Sequence, residues 1–366
     1  MAAFPCGARE MHRTYVRQRT ERKGIVAHPS CMHASTTPTD ALAALGRALQ
    51  AAGYHFITVT PATHRRVNRR PGNDLAQDVR GVFGWSRPFA RGVLPDDIER
   101  LLRASGQVEA WRKDHGDDDD DDGGAAGPAD GAAPATRALV RASSIDTRLY
   151  FHSAWPAAQE DAVFFGPDTY RYVAAMARAL DTLARPVMRA VDIGAGSGAG
   201  AIELALRRPQ ATVHAADINA RALAFTQANA VLNGAANVLP CRSDLLDGVD
   251  GRFDLIMSNP PYILDQAELA YRHGGGEHGA ELSIRIVREA LERLHPGGSL
   301  LLYTGVAIVD GEDRFLEAIR PQLEAACSSW SYEELDPDIF GGQLGCEGYE
   351  NVERIAAVWL HAVRRT

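Results

Sequence analysis

Residues 189–200 read Arg189-Ala190-Val191-Asp192-Ile193-Gly194-Ala195-Gly196-Ser197-Gly198-Ala199-Gly200. A short apolar run stops at a glycine-rich turn, and an alanine-rich stretch follows, from about Ala201 to Arg207. That pattern predicts strand, tight turn and helix, the layout of a nucleotide-binding βαβ unit. Gly194 and Gly196 let the backbone turn sharply and approach a ligand. Gly198 opens the helix, whose first amides point at whatever binds there. With Ala199 in the last place, the same spacing also fits the G-x-G-x-x-A fingerprint of an NAD site. A second strand, Thr212 to Ala216, ends at Asp217. That acid falls about where a ribose-binding carboxylate is expected, roughly 20 residues past the glycines. An aspartate there also suits a helix N-cap.

Two further strand ends fall in line. Cys241 to Leu246 carries Asp244 and Leu245, and the apolar run Phe253 to Ser258 leads into Asn259-Pro260-Pro261-Tyr262. In a doubly wound sheet, ligands sit outside the carboxyl ends of the strands, so these segments would converge on one crevice. The Asn259 side-chain oxygen can accept a hydrogen bond from an NH2 group, and Pro260 presents a rigid carbonyl as a second acceptor. Tyr262 offers an aromatic face. Two acceptors on one NH2 hold its protons and aim the nitrogen lone pair outward, toward an electrophile. Taken alone, the tetrapeptide is equally a Pro-Pro turn closing a strand. An NAD enzyme has no use for an amide clamp at the fourth strand; an enzyme that alkylates a planar nitrogen does.

On these motifs the chain resembles class I S-adenosylmethionine-dependent methyltransferases with an NPPY motif, and most of all the release-factor glutamine-N5 methyltransferases. Two further blocks are similar: Val163 to Tyr170, ahead of the glycine strand, and Gly274 to Gly305, which ends in Pro296-Gly297-Gly298-Ser299-Leu300-Leu301-Leu302. Phe165-Gly166-Pro167 stands where that family usually has Pro-Arg-Pro. The resemblance spans roughly residues 160 to 364. It implies an α/β, Rossmann-like, seven-stranded domain closed by an antiparallel hairpin, with S-adenosyl-L-methionine as cofactor. Gly194, Gly196 and Gly198 would line the methionine part, Asp217 would take the ribose hydroxyls, and Asp244 and Leu245 would edge the adenine. Asp168 and Thr169 lie in the segment that covers the pocket. Asp192 is placed with them, a structural role being the alternative. Asn259, Pro260, Pro261 and Tyr262 form the acceptor loop. Glu277 and His278, in the loop that follows, can touch substrate or take the departing proton, or simply face solvent.

Three functions stay open on sequence. The first is methylation of a protein glutamine amide, as on a release factor. The second is adenine-N6 or guanine-N2 methylation of RNA or DNA. The third is a non-catalytic scaffold that binds cofactor or RNA. The implied partner is a macromolecular methyl acceptor.

With 366 residues and 45% apolar content, two domains are the natural expectation. No run of 18 apolar residues predicts a membrane span. Five scattered cysteines and no metal-ligand spacing suit a reducing cytoplasm and no metal. Charge is uneven. Residues 1–113 carry 18 basic and 9 acidic side chains, residues 114–136 none and 8, and residues 137–366 carry 21 and 30, giving the net −8. A basic N-terminal part suggests a polyanionic partner, although arginine is abundant throughout.

The expected organisation is a disordered segment 1–37, an accessory substrate-recognition domain 38–113, an acidic Gly/Ala/Asp linker 114–136 and a methyltransferase domain 137–366. The accessory part reads as small and helical or winged. It has helices at 40–52, 74–83 and 95–104, a strand at 54–60, and Arg65, Arg66, Arg69 and Arg70 in a loop that either contacts phosphate or is simply solvated. Residues 138–142 and 148–152 read as a β-hairpin. The six aspartates 117–122 lack the alternation of a calcium loop.

Overall fold

The computed structural model describes residues 37–111, 135–156, 159–264 and 273–366, all within one compact unit, Thr36–Thr366. The disorder expected for 1–37 and the acidic tract 114–136 fall almost wholly outside the described residues. In chain order the elements are α1 (Pro38–Ala51), α2 (Pro61–Asn68), α3 (Val79–Phe83), α4 (Asp96–Ala104), β1 (Val108–Trp111), β2 (Ala135–Ala138), β3 (Val140–Ile145), β4 (Arg148–Ser153), α5 (Pro167–Leu180), β5 (Arg189–Ile193), α6 (Ala199–Arg207), β6 (Thr212–Asp217), α7 (Ala220–Asn233), β7 (Val238–Arg242), β8 (Phe253–Ser258), α8 (Glu281–Arg293), β9 (Leu294–Val309), β10 (Glu312–Asp313), α9 (Arg314–Ala326), β11 (Cys327–Asp336) and β12 (Arg354–Arg364).

The central sheet runs β11-β12-β9-β8-β5-β6-β7. Strands β5 to β9 pair in parallel, and β12 is antiparallel to both β9 and β11. The strand order reverses between β5 and β8, which opens a crevice at their carboxyl ends. Successive strand residues face opposite sides of the sheet. Leu255, Met257, Leu301 and Tyr303 therefore join one core with α5 and α6, through Tyr172, Met176 and Ile202. Ile256, Leu300 and Leu302 join the other, with Ile286 and Leu291 of α8 and Phe315, Ile319 and Leu323 of α9. Covered on both faces, these strands read as continuous apolar runs.

The N-terminal helices share a third core with the β3–β4 hairpin and α7. Leu42, Leu45 and Leu49 of α1 cluster with Phe151, Phe225, Ala228 and Leu232. A Cβ at Gly46 would collide with Leu232, so the glycine sets how closely α1 can lie on α7. Burying the three leucines is worth about 1.5–3 kcal/mol each.

Several local expectations change. Residues 54–60 are extended but form no strand. Two of their amides are met by side chains: Phe56 N donates to Ser144 Oγ (3.1 Å) and Thr58 N to the Tyr170 hydroxyl (2.9 Å). Arg65 and Arg66 lie on α2, not in a loop; Thr60 caps that helix by accepting from Thr63 N (3.2 Å), with Pro61 in its first turn. The helix expected at 74–83 begins only at Val79, because Asp78 is its N-cap and accepts from Gly81 N (2.6 Å). Ala138 belongs to β2, and the hairpin strand starts at Val140. Among the described residues, no helix is long and apolar enough to cross a membrane.

Candidate functional site

The parallel register sets the predicted site residues on one edge. Ile193 of β5 stands level with Ser258 of β8 and Ala216 of β6, so Gly194, Asn259 and Asp217 each follow at adjacent strand ends. Ser258 Oγ donates to the Ile193 carbonyl (2.7 Å), and Ser243 N donates to the Asp217 carbonyl (3.1 Å), stitching the edge together.

The glycine loop adopts left-handed conformations at Gly194, Gly196 and Gly198 (φ 69°, 56° and 79°), which an L side chain adopts at a cost. A Cβ at Gly194 would meet nothing within 4 Å, and one at Gly196 only ordinary contacts, Val163 Cγ1 at 3.8 Å and the Gly194 carbonyl oxygen at 4.0 Å. The loop thus leaves an open cradle where its backbone faces the crevice. Gly198 differs: a Cβ there would lie 2.8 Å from Thr226 Cγ2 and 3.1 Å from Thr226 Cα. The loop is held from three sides. Gly196 N donates to Asp217 Oδ2 (2.8 Å), Thr226 Oγ1 donates to the Gly196 carbonyl (3.1 Å), and Asn229 Nδ2 donates to the Ser197 carbonyl (2.8 Å).

Asp217 also accepts from Asn219 N (2.9 Å), and burial pushes its carboxyl above the usual range. Each carboxylate oxygen can accept more than one hydrogen bond, so Asp217 keeps capacity for a hydroxyl. Next to it, Ile218 is 53% exposed, an apolar side chain at the crevice that the sequence reading did not single out. Asp244 is exposed, with Arg285 at 3.8 Å, while Leu245 is buried at φ 46°.

Asp192, unlike Asp217, is buried, at 2% exposure, and bonded to the protein through both oxygens. Its Oδ1 accepts from the Tyr172 hydroxyl (2.8 Å) and its Oδ2 from Ala201 N (2.9 Å), pinning the start of α6 to β5. Burial raises its carboxyl from 3.8 to about 7. Of the two roles open to it on sequence, the structural one accounts for both oxygens.

The acceptor loop is built differently from the expectation in one respect. Tyr262 is 7% exposed, so its ring is not an open stacking face. It packs on the backbone of Gly305, where a Cβ would collide with it, and meets the rings of Tyr303 (6.4 Å) and Phe340 (5.8 Å) edge to face. Burial, and then the nearby charge of Asp168, push its hydroxyl well above the usual tyrosine range. The Asp168 carboxylate accepts from the Tyr303 hydroxyl (2.6 Å) and from Arg171 Nη1 (3.2 Å), and Arg171 Nη2 reaches Asp336 (2.7 Å). Asp168 therefore ties α5 to β9, and through Arg171 to β11, rather than standing free toward a ligand. Thr169 is turned inward as well, its Oγ1 accepting from Gly166 N (3.3 Å). Tyr303 and Gly305 were not foreseen; the only sequence signal is the break Tyr303-Thr304-Gly305 in an otherwise aliphatic strand.

Asn259 is half-buried, and among the described residues nothing hydrogen-bonds its side chain or the Pro260 carbonyl. The loop thus carries an amide oxygen and a carbonyl that no other described residue uses. Pro261, half-buried, and buried Tyr262 complete the turn. Glu277 is exposed. His278 is buried, its Nε2 within 3.1 Å of Asn351 Oδ1. Both line a polar cleft of about 690 Å³ with Asp310, Arg314 and Glu317. His278 is thus engaged by the protein through one ring nitrogen.

Residues 174–309 match the methyltransferase small domain family. The chain is 40% identical over 163 residues to a release factor glutamine methyltransferase from Deinococcus radiodurans, covering 42% of this chain and 55% of that one. It is 36% identical over 167 residues to the enzyme of that name from Bordetella pertussis (42% and 61%). It is 35% identical over 195 residues to a ribosomal protein uL3 glutamine methyltransferase from Xanthomonas campestris pv. campestris (50% and 57%). The chain thus spans a little over half the length of these curated relatives. With the strand order, the family match identifies the fold as the Rossmann-like class I methyltransferase fold.

Proposed function

We propose that this protein is an S-adenosylmethionine-dependent N-methyltransferase whose acceptor is a glutamine side-chain amide of a protein. The observation that carries the reading is the pair of unused acceptors at Asn259 and Pro260, on the strand end beside the open glycine cradle. The names of the relatives support a glutamine acceptor. So does the buried Tyr262 ring: a flipped base would need a free aromatic or apolar face to stack on, whereas a compact amide needs only the two acceptors.

The cofactor fits the cradle through the backbone of Gly194 and Gly196, the Asp217 carboxylate and the apolar Ile218. Bound there, it supplies an electrophilic methyl group on a sulfonium. The chain's own contribution is positioning. Asn259 Oδ1 and the Pro260 carbonyl accept hydrogen bonds from the two N–H groups of the NH2 and fix its plane. The same two dipoles favour the positive charge that develops on nitrogen during alkylation. Once alkylated, the nitrogen sheds a proton without a strong base. Tyr303, Phe340 and the backbone of Gly305 back the loop through the Tyr262 ring. We place the enzyme in the cytoplasm, acting on a protein of translation.

The test uses labelled S-adenosylmethionine with the full chain and a cell extract split into protein, RNA and DNA. Label is expected in protein, and in methylglutamine after hydrolysis without deamidation. Asn259→Ala should abolish transfer while cofactor binding persists; Asp217→Ala should weaken cofactor binding. Label in RNA or DNA alone would replace the glutamine reading by the nucleobase one, and normal turnover by Asn259→Ala would sink the clamp.

A further inference from the structure

The N-terminal module carries a concentration of positive charge that the methyl-transfer site does not use. Between residues 60 and 91 there are seven arginines (65, 66, 69, 70, 80, 87 and 91) and two acids, Asp74 and Asp78. Asp78 is already engaged as the cap of α3. Arg66, Arg69 and Arg70 are exposed and Arg65 half-buried, on α2 and the turn that ends it. Among the described residues none of these four has an ion-pair partner, whereas Arg103, Arg148, Arg171, Arg207, Arg221, Arg314 and Arg354 all do. Arg65 and Arg66 lie in the last turn of α2 and Arg69 and Arg70 on the turn that ends it, so four like charges crowd within six residues and repel. An arrangement that costs stability in isolation is relieved by an anion.

In the interior beneath, Arg141 adds to the same field, and a neutral His64 sits beside it. Arg141 is 4% exposed and donates through Nε to the Gly84 carbonyl (2.9 Å), but its Nη2 has no partner. His64, on α2 itself, is 3% exposed, and its Nε2 also lacks a partner. Burial, and then the charges of Arg141, Arg87 and Arg137, push His64 down to about 3. Among the described residues no carboxylate hydrogen-bonds to Arg141 or His64. Beside them the guanidinium of Arg87 lies 5.7 Å over the half-buried Trp85 ring and donates to Asn68 of α2 (2.9 Å).

We propose that the face formed by Arg65, Arg66, Arg69 and Arg70, with Arg87 and Trp85 at its edge, is a docking surface for the phosphodiester backbone of an RNA. Guanidinium groups match phosphate oxygens bidentately, and an arginine-aromatic pair beside them suits a nucleic acid better than a carboxylate-bearing protein. The surface is independent of the acceptor clamp. It would hold a ribonucleoprotein while a protein residue is presented to Asn259.

The test measures binding of the full chain to a short fluorescein-labelled RNA hairpin by anisotropy across a salt series. Polyglutamate serves as the acidic-protein probe. Binding is expected to weaken steeply with salt. The R65Q/R66Q/R69Q/R70Q variant should bind at least about tenfold more weakly at fixed salt and lose about three from the log–log salt slope, on the basis of roughly 0.7–0.9 per phosphate contact removed. The R65K/R66K/R69K/R70K variant, which keeps the charge, should retain most of the slope and shows that loss in the first variant is not misfolding. No RNA binding by the wild type, or equal binding by the glutamine variant, overturns the proposal. Tighter binding of polyglutamate than of RNA, lost in the same variant, also overturns it and assigns the face to an acidic protein.

Discussion

Replacing Gly194 and Gly198 one at a time by alanine separates two jobs of the glycine loop. Both residues sit at positive φ, so each alanine bears a conformational cost of about 1–2 kcal/mol. At Gly194 nothing lies within 4 Å of the new methyl, and the cost ends there. At Gly198 the methyl would lie 2.8 Å from Thr226 Cγ2 and 3.1 Å from Thr226 Cα. A rotamer change can move the first atom but not the second, so loop or helix must shift, at about 1–3 kcal/mol more. Taking roughly 2 °C per kcal/mol for a chain of this size, Gly194→Ala should lower the melting temperature by about 2–4 °C and Gly198→Ala by about 4–10 °C. Titration calorimetry with S-adenosylmethionine should rank them the other way. The Gly194 methyl points into the open cradle and should weaken binding by about tenfold or more, since one misplaced group there removes over 1.4 kcal/mol. Trimming the clash with Thr226→Ser in the Gly198→Ala background should recover part of the lost stability. If Gly198→Ala melts no lower than Gly194→Ala, the contact with Thr226 does not shape the loop and the reasoning fails. Unchanged affinity in Gly194→Ala would remove the cradle as the cofactor site.

Two further outcomes follow from the buried polar groups. Burial raises the Asp192 carboxyl from 3.8 to about 7, so the folded state holds its proton more tightly than the unfolded chain does. The stability this group contributes is therefore complete below about pH 4 and lost as pH rises through about 7. Melting curves of wild type and Asp192→Asn should differ by an amount that shifts against the wild type between mildly acidic and mildly alkaline buffer; a difference that stays flat would contradict the assignment. Tyr303→Phe removes the hydroxyl that donates to Asp168 at 2.6 Å, at a cost of about 1–3 kcal/mol in stability for a buried acceptor left short of a donor. Its kcat should fall while cofactor affinity holds, because the defect reaches the acceptor loop through Tyr262. Loss of affinity with kcat intact would place Tyr303 on the cofactor side instead.

The parts of the fold that sequence made legible are those governed by local rules. Arg189 to Ile193, the glycines and the run Phe253 to Ser258 form the expected strand, turn and strand because buried parallel strands are apolar throughout and positive φ selects glycine. The cap of α2 was present in Thr60-Pro61-Ala62-Thr63 but masked by the arginines that follow. What could not be read is whatever depends on distant partners. Asp192 is two residues from Gly194, yet its occupancy is decided by Tyr172, twenty residues upstream. Tyr262 looked like an open ring until Gly305, Tyr303 and Phe340 closed around it. The extended segment 54–60 alternates like a strand, but its neighbours offer hydroxyls instead of a free edge, a matter of tertiary placement that no local pattern encodes.

The packing of α1 on α7 bears on how this molecule can be re-engineered. Leu42, Leu45 and Leu49 rest on Phe225, Ala228 and Leu232 of the helix that starts three residues after Asp217. Cutting the chain near residue 137 to harvest the sheet-bearing part alone would strip that cover and leave an adhesive apolar strip near Asp217 at the crevice. A chimera that borrows another front end inherits the same constraint: the donor helix must bring three aliphatic side chains and a glycine in the register of Gly46, or α7 must be redesigned with it. The module is modular in sequence order but not in mechanical terms.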